Sequence, residues 1–139
     1  MFFLNYPAIL VAALAAFFIG FLWHGPVLGK QWIKLMKLTP ADIEKGRKEM
    51  AKNMPIVMLL SLVQQLVTAT VISMLSNAIG VADAFDAVVL AILLWLGLIA
   101  TTLLNAVLWE KRSMSLYLFN IAYHLVSLVV IALIVGLWR

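Results

Sequence analysis

Four long apolar stretches, separated by short charged segments, constrain this chain more than any other feature. No Asp, Glu, Lys or Arg occurs up to residue 29, from 53 to 82, from 87 to 109 or from 113 to 138. A helix needs about 20 residues to cross a hydrocarbon core roughly 30 Å thick, and every stretch is longer than that. Four such runs could not share the interior of a soluble domain of 139 residues. The composition agrees, with 65% apolar and only 12% charged residues and a mean hydropathy of +1.10. The expected fold is all-α: one domain over residues 1–139, an integral membrane bundle of four transmembrane helices. The spans are expected at about 6–23, 55–75, 87–109 and 114–138, with a helical, amphipathic cytoplasmic loop over 24–54.

The first stretch reads as a retained helix rather than a cleavable leader. No Lys or Arg precedes it, and it leaves the membrane as Trp23-His24-Gly25-Pro26, not as a small-residue cleavage site. The absence of cysteine removes disulfides, thiolate metal sites and cysteine nucleophiles together. The net charge of +4 does not imply a nucleic-acid partner, because the basic residues sit beside the spans. Lys30, Lys34, Lys37, Lys45, Arg47, Lys48 and Lys52 follow span one, and Lys111 and Arg112 follow span three. The other side carries Asp83 and Asp86, with Arg139 its single basic residue. Nine basic residues against one place the basic loops in the cytoplasm and both termini outside.

Within the long loop, Thr39-Pro40-Ala41-Asp42 has the pattern of a capped helix start, and a helix is expected from there to about residue 53. Residues 30–38 mix Trp32, Ile33, Leu35 and Met36 with lysines, which suits the lipid headgroup layer. Trp23, Trp32, Trp109, Trp138 and Tyr6 fall at expected interfaces. A faint repeat links the Leu22-Trp23 and Leu108-Trp109 pairs, which end spans running in the same direction.

Polar and small residues recur at i, i+4 spacing, which puts each set on one helix face. Ala8, Ala12, Ala16 and Gly20 form a row suited to close helix packing in lipid. Gln64, Gln65, Thr101, Asn105, Asn120 and His124 are expected to turn inward, because lipid offers them no hydrogen bond. Such a layer is either glue between helices or the lining of a polar path. His24 and Glu110 end parallel spans at one surface, where capping competes with proton relay and metal binding. Met50, Met54 and Met58 invite a copper reading, but methionine is more often a packing residue. No catalytic set, metal site or cofactor motif stands out.

The run Gly20-x-Leu22-Trp23-His24-Gly25-Pro26-x-x-Gly29-Lys30-x-Trp32, followed by Leu38-Thr39-Pro40-Ala41-Asp42, resembles a family of small bacterial four-span membrane proteins catalogued as a domain of unknown function. The resemblance implies the fold and a bacterial inner membrane, and no reaction. The function expected is non-enzymatic, exercised in the bilayer through helix association. The partner is a second copy of the chain or another membrane protein to which it is an accessory subunit. A small channel or transporter is the alternative, and a membrane enzyme the third reading.

Overall fold

Each long helix begins where a polar side chain takes up one of its free amide hydrogens. Asn5 accepts from Ala8 N at 3.2 Å and opens α1, Tyr6–His24. In the cap of α3, Pro40–Ile79, Thr39 Oγ1 accepts from Asp42 N at 3.1 Å while Asp42 Oδ2 accepts from Thr39 N at 3.0 Å. Asp83 accepts from Asp86 N at 2.9 Å at the head of α4, Ala84–Leu108. Ser113 accepts from Leu116 N at 3.1 Å before α5, Met114–Leu137. The short helix α2, Gly29–Leu35, lies between α1 and α3 in the chain and packs against α1 and α5. The computed structural model describes residues 4–25 and 27–138; Pro26 and Arg139, which figure in the sequence reading, lie outside them.

The four long helices are each apolar enough to cross a membrane, as the charge-free stretches imply. One boundary differs from expectation. The loop helix and span two are a single helix of 40 residues, about 60 Å long, with Pro55 inside it. Proline removes one hydrogen bond and leaves the carbonyl of Ala51 without its helical donor, but no glycine follows until Gly80. The helix therefore continues through, and it stops only where Gly80 adopts φ +74°, its amide bonded to Ser76 O. Residues up to Lys52 form a charged arm that extends beyond the apolar part. Another difference is internal to α4, which passes through a π-helical turn at Trp95–Ala100 and breaks again at Leu104.

Helix α5 is the hub, packing against α1, α3 and α4, while α1 also packs against α3. Small residues make these contacts close: Ala12, Ala13, Ala16, Ala69, Ala87, Ala91 and Ala132 are fully buried together with Ile131. The approach is also close at Gly136, where a β-carbon would lie 3.1 Å from Val81 Cγ1 and 3.5 Å from Ala87 Cβ. The first and last described segments meet at this end of the bundle, where Asn5 Nδ2 donates to Trp138 O at 3.2 Å. The packed core thus sits toward the end that carries Asp83 and Asp86. Toward the basic end, buried positions thin out and residues 44–60 of α3 are all exposed.

Candidate functional site

That thinning leaves a groove between α1 and α3, about 510 Å³ in volume. Phe17, Gly20, Phe21 and His24 form its α1 wall, one face of the last two turns. The α3 wall runs from Met50 through Met54, Val57 and Met58 to Ser61, Gln64 and Gln65. Tyr123 of α5 closes the inner end.

Gly20 makes room for that tyrosine. A β-carbon at position 20 would lie 2.8 Å from the Tyr123 hydroxyl and 3.3 Å from the ring carbon that carries it. With hydrogen there instead, the phenol reaches across α1 and accepts a bond from Gln65 Nε2 at 3.2 Å. Its own O–H is then available to an acceptor in the groove. The ring is steadied by aromatic neighbours, with Trp23 centred 6.2 Å away and His24 5.1 Å away. Trp23 also packs on Phe119 at 5.7 Å, and its indole nitrogen is buried without an acceptor among the described residues.

His24 ends the α1 wall of the groove. Trp32, Phe119 and Tyr123 stand nearly perpendicular to its ring, at interplanar angles of 84°, 80° and 79°. Its Nδ1 lies 3.1 Å from Gly20 O. A carbonyl only accepts, so Nδ1 carries the proton and caps the end of α1. Gly25 follows because the chain folds back so tightly that a β-carbon would lie 2.7 Å from Phe21 O.

The polar residues singled out by spacing do not form one layer. Gln64 and Gln65 border the groove, Gln64 exposed and Gln65 half-buried. His124 is half-buried, its ring 4.9 Å from that of Tyr123. Asn120 instead lines a second cavity of about 230 Å³ with Met36, Glu110, Arg112 and Tyr117. Thr101 and Asn105 are exposed, and Thr101 satisfies its hydroxyl on Gly97 O at 2.8 Å. Their faces turn outward because α4 has α5 as its one extensive partner. His24 and Glu110 border different cavities. The packing row is consumed inside the bundle: Ala8, Ala12 and Ala16 are buried and Gly20 is filled by Tyr123. The Leu-Trp repeat has no structural counterpart, since Trp23 is packed among rings while Trp109 is 81% exposed.

Two bonds between α4 and α5 escaped sequence reasoning. The Trp95 indole donates to Ile121 O at 2.7 Å and the Tyr117 hydroxyl to Ala100 O at 2.6 Å. They bracket the π-helical turn, a local widening that often accompanies functional sites. Tyr123 was also missed. Its partner Gly20 lies on a different helix, and no pattern within α5 marks it.

Four apolar helices of membrane-spanning length, gathered around α5, define a multi-span membrane protein of the all-helical class. Residues 7–136 match the family model described as Protein of unknown function (DUF1761), and the chain belongs to that family. No curated protein and no solved structure matches it.

Proposed function

We propose that the protein works without chemistry of its own, by holding a largely apolar guest from the bilayer in the groove between α1 and α3. One observation carries this reading: phenylalanine lines the α1 wall and methionine the α3 wall, and polar side chains gather toward the ends. A volume of about 510 Å³ is ordinary for a ligand site, and a few placed polar groups in apolar walls is the usual composition. Methionine walls adapt to irregular occupants. Every lining residue comes from the basic half of the helices, which favours a held guest over a path across the membrane. We place that half in the cytoplasmic leaflet of a bacterial inner membrane, with both termini outside, on the excess of basic residues there.

Filling the groove tests the reading. Protein purified in mild detergent should retain copurifying amphiphiles, identified by mass spectrometry after solvent extraction. Ser61→Trp should reduce that retention at least about tenfold. Equal retention by both proteins would sink the proposal.

A second reading, helix association, is favoured by a separate surface. Ile56, Leu59, Leu60, Val63, Val67 and Val71 form an outward stripe on α3, 46% to 62% exposed. A second copy or a larger membrane complex would pack there. Cysteines at positions 63 and 67 should then cross-link between chains in native membranes, whereas a strictly monomeric protein would remove this reading.

A further inference from the structure

The α3 wall of the groove has the length of one leaflet. Met54 stands near the start of the charge-free part of α3, and Gln65 lies 11 residues further in, about 16 Å at 1.5 Å per residue. That is half of a hydrocarbon core roughly 30 Å thick. An occupant entering from the bilayer therefore fits as a lipid of the basic-side leaflet, its chain reaching inward to the Gln65–Tyr123 bond.

The outer mouth indicates the head. Extending the groove face of α3 outward by one turn from Met50 falls on Arg47 at 100° per residue. Lys45, Lys48, Glu49 and Lys52 of the arm turn to other faces by the same count. Glu44, one turn before Arg47 on the helix, lies 3.9 Å from Lys48, and no acidic residue lines the groove. Arg47 is exposed and, among the described residues, has no ion-pair partner. It stands about 10 Å beyond Met54, and its flexible stem can bring the guanidinium back to headgroup depth. A guanidinium binds phosphate through two parallel hydrogen bonds, which a lysine cannot reproduce.

We propose that the groove holds an anionic glycerophospholipid, its phosphate on Arg47 and one acyl chain along Met50, Met54 and Met58. The assignment rests on the groove being a binding site, and its test separates the two. Native mass spectrometry in detergent would count phosphatidylglycerol and phosphatidylcholine adducts on the full chain, where no membrane surface potential contributes. Wild-type protein should prefer phosphatidylglycerol by up to about fivefold, the upper end of what one exposed ion pair supplies. Arg47→Gln should remove the preference while adducts persist, Lys48→Gln should keep it, and Ser61→Trp should abolish both lipids. If Ser61→Trp leaves both adducts, the lipids are not in the groove and both proposals fall. If Ser61→Trp abolishes them but Arg47→Gln keeps the preference, or Lys48→Gln loses it equally, the phosphate assignment alone falls.

Discussion

Gly20 and Tyr123 fix each other's positions. Alanine at position 20 would gain about 1 kcal/mol of helix propensity and meet a clash that overpacking typically prices at about 1–3 kcal/mol. The Tyr123 ring must swing away, and the bond from Gln65 goes with it. Tyr123→Phe loses only that bond, on average about 0.6 kcal/mol for an intramembrane pair. Steric trapping in bicelles should therefore find Gly20→Ala less stable than wild type, and it should weaken occupancy of the groove more than Tyr123→Phe does. A Gly20→Ala protein as stable as wild type with an intact groove would mean the ring is not held. Spacing marked Gly20 as a packing position, and the atoms nearest it in the structure belong to a tyrosine rather than a neighbouring backbone. Gln65 was legible as a polar group in need of a partner, whereas the identity of that partner was not.

The arm of α3 is an element whose ends were readable and whose continuity was not. Thr39, Pro40 and Asp42 announce the start, and they form the reciprocal cap that their spacing implies. The arm was expected to end near residue 53 and span two to begin near 55, and the helix instead runs on. Thr39→Ala should cost about 1 kcal/mol of helix stability at the arm. Gly46→Ala should restore about as much, because nothing lies within 4 Å of the added carbon. Hydrogen exchange at residues 40–46 reads both changes. The Thr39 amide, then its hydroxyl, then Lys45 hold the Asp42 carboxyl below its ordinary value. A lowered value means the cap is complete above the ordinary pKa of about 3.9 and is lost as pH falls below it. Protection of the arm relative to the intrinsic exchange rate at each pH should fall in that acid range, and Asp42→Asn should remove this dependence. Unchanged protection in wild-type protein would mean the cap does not hold the arm.

At the scale of the molecule, the charge distribution predicts the threading. Reporters fused at residue 139 should report the outside of the cell, and reporters inserted between 36 and 40 the cytoplasm. The opposite result would move the groove to the other leaflet. The four apolar spans and the capped start at Thr39 were determined by the sequence alone, because hydropathy and capping act within a few turns of one segment. The run around Trp23, His24 and Gly25 that carries the resemblance was likewise visible as residues. Only the tertiary structure decided that α5 is the hub, that the alanine row of α1 is used up inside the bundle, and that Thr101 and Asn105 face outward. Those outcomes depend on which helix faces are placed against each other. In lipid every outer face is as apolar as the inner one, so periodicity carries no label for inside. The groove exists because small residues close one end of the bundle while Phe17, Trp23, Phe119 and Tyr123 fill space at the other. That contrast arises between helices, and no single segment contains it.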